Sequence, residues 1–195
     1  MKYILASASP RRKEILKSIG LKFSIIVADA DESSETRDPV TLTKELASKK
    51  GLAVKDKLIQ EGNYDAHTVI ISADTVVVCD GEILGKPKDR ANAERMLRML
   101  SSRTHDVVSG VALTYGDKTV TDASVTHVTF DVIEEDFLAR YLDSSEPYDK
   151  AGAYAVQGVA SVIVSKLEGC YFGVVGLPIN CLVNLAKKNN IPLEI

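Results

Sequence analysis

The sequence predicts a mixed α/β fold. Two observations carry that reading: β-branched runs alternate with helical patterns along the chain, and strand-like runs come from both ends of it. A third bears on organisation. No repeat, low-complexity linker or composition break divides the 195 residues, so a single domain spanning 1–195 is expected.

Taken in order, "KYILAS" (2–7) reads as a strand. "PRRKEILKSIG" (10–20) reads as a helix, with Pro10 in its first turn and Gly20 just past its end. "KFSIIVA" (22–28) is a second strand, and the polar run "DADESSETRDP" (29–39) a loop. A helix is expected over 42–55. Residues 67–84 then carry two β-rich runs around Ser72-Ala73-Asp74-Thr75, with a turn at Asp80-Gly81. Residues 89–102 predict an amphipathic helix with Ala93, Met96, Leu97 and Leu100 on one face. Residues 105–133 supply two or three strands and a Gly116-Asp117 turn. A helix over 134–144, a strand over 160–169 and a closing helix over 178–189 complete the chain.

Composition narrows the function. An apolar fraction of 45% and a charged fraction of 26% are those of a globular protein. A net charge of −3 argues against nucleic-acid binding driven by bulk electrostatics. No apolar run approaches the roughly 20 residues that span a bilayer, so no membrane partner is expected. "MKYILASASPRRK" has too short an apolar run for a signal peptide. Three scattered cysteines, Cys79, Cys170 and Cys181, suit reduced thiols, and a cytoplasmic location is expected. Neither CxxC nor HExxH is present to suggest zinc.

Two constellations point to chemistry. At the first strand-to-helix junction stand Ser7, Ser9, Pro10, Arg11 and Arg12. Helix N-termini favour anions, and the hydroxyls add donors there. Two arginines oppose the dipole in that turn, and a bound anion would account for them. A Ser9 cap, Pro10 at the first position and two exposed arginines would give the same string without an anion. Residues 1–27 carry Lys2, Arg11, Arg12, Lys13, Lys17 and Lys22 against Glu14, whereas Asp29, Asp31, Glu32, Glu35 and Asp38 follow against Arg37. Basic groups beside carboxylates are what a metal–polyphosphate site requires, although each charge could equally belong to a solvated face. The second constellation is "IISADTVVVCDGEILGKP" (70–87). Asp74 follows a buried β-branched run where a strand is expected to leave the core, and Lys86 could return to the same mouth. No P-loop or GxGxxG pattern is present.

"LASASPRR" (5–12), "DADE" (29–32), "SADTVV" (72–77), "GKP" (85–87), "RTHDVVSGVAL" (103–113), "EPYDKAGAYAVQG" (146–158) and "GLP" (176–178) together resemble the Maf family of nucleoside triphosphate pyrophosphatases. The resemblance implies a cytoplasmic, metal-dependent hydrolase that uses Mg²⁺ or Mn²⁺ to cut a nucleoside triphosphate into monophosphate and pyrophosphate. It also implies an inosine triphosphatase-like fold, with an elongated, curved mixed sheet, flanking helices and a cleft between two lobes. A homodimer follows by analogy only. Arg11, Thr75 and Gln157 stand where the dTTP/UTP branch carries these residues, whereas the 7-methyl-GTP branch carries Trp, Gln and Glu. A neutral amide can both donate to and accept from a uracil edge, while an acid would suit a cationic methylated guanine. The resemblance implies that Asp74 activates water, Glu32 helps Asp74 hold the metal, and Ser7, Ser9 and Arg12 grip phosphate. Lys86 and Lys50 would neutralise the departing pyrophosphate. Lys50 lies in "KELASKKGLAV", where Gly51 replaces the family's usual alanine at a cost of about 1 kcal/mol in helix propensity. Glu146, Asp149 and Lys150 either serve the site or shape its loop. A nucleotide-binding regulator of septum formation and a 7-methyl-GTP pyrophosphatase are the alternatives.

Overall fold

A computed structural model describes residues 1–195, which form two compact units. The first comprises Met1–Asp74, Ser109–Ser124 and Gly176–Ile195, and the second Thr75–Val108 and Val125–Val175. The fold is the mixed α/β arrangement expected, built on an open seven-stranded sheet.

In the first unit, β1 (Lys2–Leu5) runs parallel to both β2 (Ser24–Ile25) and the start of β3 (Thr68–Cys79). The run at 22–28 yields only two strand residues. They lie at the sheet edge, with Ser24 and Ile25 both exposed, and a short edge gives a second chain little to pair with. Between β1 and β2, α1 (Pro10–Ser18) buries Ile15 and Leu16. The helix α2 (Pro39–Gln60) starts three residues earlier than predicted and ends five later. Its start is local chemistry: the Asp38 carboxylate accepts from the Thr41 amide at 2.7 Å, and Pro39 needs no amide partner at the first helical position. The closing helix of the chain spans Ile179–Lys188 and buries Leu182, Leu185 and Ala186.

The strand β3 shows how α2 is seated. Alternate residues of a strand share a face, so Ile70, Ser72 and Asp74 point the same way. Ile70 packs with Val54 and Leu58, the Ser72 hydroxyl donates to Ala47 O at 2.7 Å, and Asp74 accepts from Lys50. The helix therefore lies along that face and runs against the strand. The sequence places Asp74 where a strand ends, but β3 continues through it without a break. Its carboxylate is tolerated mid-strand because the Lys50 ammonium neutralises it. The same packing explains Gly51: a Cβ on it would lie 2.8 Å from Ser72 Oγ and 3.0 Å from Thr114 Oγ1. Gly110 meets a harder limit, since its Cβ would stand 2.4 Å from the Thr43 carbonyl.

In the second unit, β3 turns at Asp80-Gly81 into β4 (Glu82–Leu84). Both turn residues have positive φ, 50° and 79°, as a tight hairpin requires. The helix α3 (Arg90–Leu100), capped by Asp89, buries the predicted face of Ala93, Met96, Leu97 and Leu100. Strands β5 (Thr104–Tyr115) and β6 (Lys118–Phe130), on either side of the Gly116-Asp117 turn, each contribute residues to both units. Next come α4 (Glu135–Leu142), 3-10 turns at Glu146–Asp149, Ala151–Ala153 and Val159–Ile163, β7 (Val164–Glu168) and α5 (Tyr171–Val175). The sheet order is thus β2-β1-β3-β5-β6-β7, with β4 paired to β3.

The predicted strand over 160–169 begins as a 3-10 turn. The Glu146 carboxylate accepts from the amides of Val159 and Ala160 at 3.0 and 3.2 Å, which diverts those donors from a strand ladder. Glu146 also accepts from the Tyr141 hydroxyl at 3.2 Å, and Lys150 donates to its backbone carbonyl at 2.6 Å. Glu146 and Lys150 therefore shape their loop. No helix is long and apolar enough to cross a membrane, and none of the three cysteines forms a disulfide.

Candidate active site

The first unit holds seven of the predicted residues, Arg11 among them, and brings six together: Ser7, Ser9, Arg12, Glu32, Lys50 and Asp74. They form two linked groups. At the start of α1, Ser9 caps the helix, its oxygen accepting from the Arg12 amide at 3.5 Å. Ser7 Oγ is buried and takes two donors, the Ser9 amide and Arg12 Nη1, each at 3.2 Å. Both hydroxyls act as acceptors toward the protein, which leaves their protons available to an incoming oxygen. The Arg12 guanidinium is fixed from a second side, with Nε donating to the Gly176 carbonyl at 2.8 Å. Arg12 is therefore no solvated surface cation. Burial lowers its pKa from the usual arginine value and Arg11 pushes the same way, while Asp74 and Glu32 oppose both.

The second group centres on Lys50. Its Nζ lies 2.6 Å from Asp74 Oδ1 and 3.2 Å from Glu32 Oε1. The Asp74 arm is the strong one. The Lys50 and Asp74 side chains are 20% and 12% exposed, so solvent screens that pair little, whereas Glu32 is 62% exposed. Two carboxylates thus converge on one cationic atom, one from the loop after β2 and one from the middle of β3. Lys50 reaches both because Gly51 lets α2 approach β3 closely.

The remaining predicted residues are placed separately. Arg11 is half-buried on α1, and Thr75 is half-buried on β3 at the first residue of the second unit. Lys86 is exposed just after β4, next to Gly85, whose carbonyl accepts from the Gly152 amide at 3.1 Å. Gln157 is exposed, and its Nε2 donates to the Tyr171 hydroxyl at 2.9 Å.

Two residues that hydrogen-bond predicted ones, Gly176 to Arg12 and Tyr171 to Gln157, are not singled out by the sequence. Gly176 acts through its carbonyl, which residue identity does not reveal. Tyr171 lies in "GCYFGVVG", where the glycine spacing fits no dinucleotide motif; the adjacent aromatic pair is the signal that could have found it. An open groove of about 540 Å³, lined by residues including Val27, Asp29, Asp56 and Lys57, contains none of the predicted site residues.

The family model described as Maf-like protein matches residues 2–189. The chain is 45% identical over 190 residues to the dTTP/UTP pyrophosphatase of Acetivibrio thermocellus, covering 96% of this chain and 94% of that protein. It is 43% identical over 190 residues to the dTTP/UTP pyrophosphatase of Thermoanaerobacter pseudethanolicus, covering 96% of each. The dTTP/UTP pyrophosphatase of Bacillus anthracis is 44% identical over 191 residues, covering 97% of this chain and 96% of that protein.

Proposed function

This chain belongs to the Maf-like protein family, and from that premise we propose that it is a nucleoside triphosphate pyrophosphatase acting on dTTP and UTP, releasing the monophosphate and pyrophosphate. The observation that carries this reading is the convergence of Asp74 and Glu32 on Lys50 Nζ, beside an Arg12 fixed by Gly176 and Ser7. A cation-centred pair of carboxylates next to a preorganised guanidinium is suited to a metal-bound polyphosphate.

Glu32 and Asp74 fit a divalent cation, because both already direct an oxygen at one positive centre. No cluster of three His, Cys, Asp or Glu side chains forms a metal cage. Mg²⁺ needs none, since it commonly takes one or two carboxylates together with phosphate oxygens and waters. Bound there, Mg²⁺ or Mn²⁺ would neutralise phosphate charge and make the phosphorus more electrophilic. In this reading Asp74 accepts the proton of the water that attacks the α-phosphorus, and the bond to the β-phosphate bridging oxygen breaks. Arg12 and the Ser7 and Ser9 hydroxyls hold phosphate oxygens at the start of α1. Lys50 and Lys86 offset the charge that gathers on the departing pyrophosphate. Arg11, Thr75 and Gln157 read the base.

The test is pyrophosphate release from dTTP, UTP, dCTP, ATP, GTP and 7-methyl-GTP, with Mg²⁺ or Mn²⁺ and with EDTA. Turnover of dTTP and UTP that EDTA abolishes is expected. Nucleotide binding without turnover of any member would replace this reading with a regulator, and a preference for 7-methyl-GTP would move the chain to the other branch.

A further inference from the structure

The loop that carries Glu32 is polar almost throughout. Between Asp29 and Asp38 only Ala30 is apolar, so burial of apolar surface can do little to fix it. Side chains hold it instead. The Asp31 carboxylate accepts from the Ser33 amide at 2.9 Å, which closes a turn over Glu32. The Ser33 carbonyl accepts from Lys49 Nζ at 2.5 Å, and the Ser34 hydroxyl donates to Glu45 Oε2 at 2.8 Å.

Both partners stand on α2. Glu45 and Lys49 are one helical turn apart and bridge each other, Oε1 to Nζ at 2.8 Å, so each helps to set the other's side chain. The two consecutive lysines of "SKKG" thus divide the work. Lys50 faces the Asp74 and Glu32 carboxylates, while Lys49 grips the main chain one residue beyond Glu32. The Glu45 and Lys49 side chains are 36% and 32% exposed, so the pair does not serve the core.

We propose that Lys49 and Glu45 are positioning residues for the divalent cation: they clasp residues 33 and 34 onto α2 and so hold the Glu32 carboxylate where it and Asp74 meet one positive centre. This rests on the reading of Glu32 as a metal ligand. A carboxylate on a loose loop must give up that freedom when the metal binds, and a clasp that restrains its main chain beforehand removes part of the cost. The sign of the effect separates positioning from charge. Removing the Lys49 cation from beside this acidic loop would by electrostatics alone tighten the hold on a metal ion, whereas losing the clasp weakens it.

The experiment titrates Mn²⁺ alone into the nucleotide-free protein, following free Mn²⁺ by electron paramagnetic resonance. It compares the wild type, Lys49→Met, Glu45→Ala, Glu32→Ala and the double variant of Lys49→Met with Glu32→Ala. Methionine and alanine are good helix formers and both clasp side chains are partly exposed, so melting temperatures near that of the wild type are expected. Lys49→Met and Glu45→Ala should each raise the Kd for Mn²⁺ about tenfold, the low end of what losing an outer support costs a metal site. In the Glu32→Ala background Lys49→Met should not raise it further, because the ligand it positions is gone. A Kd unchanged or lowered in either clasp variant, while Glu32→Ala raises it, would overturn the proposal and leave Glu32 as a metal ligand. An equal rise from Lys49→Met in both backgrounds would also overturn it, by showing that the lysine acts through something other than Glu32. No Mn²⁺ binding by the wild type, or no loss in Glu32→Ala, would remove both the ligand and its positioning.

Discussion

Substituting Asp74→Asn separates catalysis from structure. The amide matches the carboxylate in shape, and its Oδ1 can still accept from Lys50 Nζ, which lies 2.6 Å from the native oxygen. What disappears is the charge and the capacity to take a proton. A hydrogen bond to a charged group contributes about 1.5–3 kcal/mol and a neutral one about 1 kcal/mol, so the structural loss is about 0.5–2 kcal/mol. A domain of this size has roughly 5–15 kcal/mol to lose and shifts its melting temperature by about 2–4 °C per kcal/mol. The variant should therefore melt about 1–8 °C below the wild type and be folded at 25 °C. Removing a general base costs at least a hundredfold in turnover, about 2.7 kcal/mol of barrier at 1.36 kcal/mol per tenfold. Pyrophosphate release from dTTP and UTP at saturating metal and nucleotide, measured beside a thermal melt, reads both quantities. Turnover within tenfold of the wild type would exclude Asp74 as the proton acceptor, and a melt below the assay temperature would show the pair with Lys50 to be worth far more than its geometry implies.

Arg12→Lys keeps the charge, but one ammonium cannot reproduce both the 2.8 Å bond to Gly176 O and the 3.2 Å bond to Ser7 Oγ while facing phosphate. We expect kcat/KM for dTTP to drop about tenfold or more in steady-state assays; an unchanged value would return Arg12 to a structural role. Gly51→Ala should lower stability by about 1 kcal/mol in urea denaturation, because overpacking against Ser72 and Thr114 outweighs the gain in helix propensity. A stabilised variant would show that α2 shifts freely over β3. Burial lowers the pKa of His105 to about 4, against 6.5 when unfolded. The unfolded chain therefore binds the extra proton first, and stability is lost as the pH falls below 6.5. Between pH 7.5 and pH 5 this amounts to about 2 kcal/mol. Chemical denaturation of wild type and His105→Gln across that range should show a shallower acid loss in the variant, and parallel curves would refute the assignment.

Much of the fold is legible in the sequence because its signals are local. Ser9-Pro10 marks the start of α1, Asp80-Gly81 the β3–β4 hairpin, and the spacing of Ala93, Met96, Leu97 and Leu100 the buried face of α3. The start of α2 is written in Asp38-Pro39 by the same chemistry, though the polar run before it reads as loop to its end. Residue types at the candidate site are equally legible, since seven separated motifs resemble one family. Other features are decided only by tertiary structure. Nothing near Asp74 in the chain says that a carboxylate will sit mid-strand; Lys50, 24 residues away, makes it tolerable. Arg12 becomes an anchored group because Gly176, 164 residues on, supplies a carbonyl. Gly51 is a weak helix former by itself and a requirement once Ser72 lies against it. The common reason is that capping and periodicity act between neighbours in sequence, whereas the worth of a charge, an amide or a missing Cβ depends on which distant group the fold brings within a few ångströms of it.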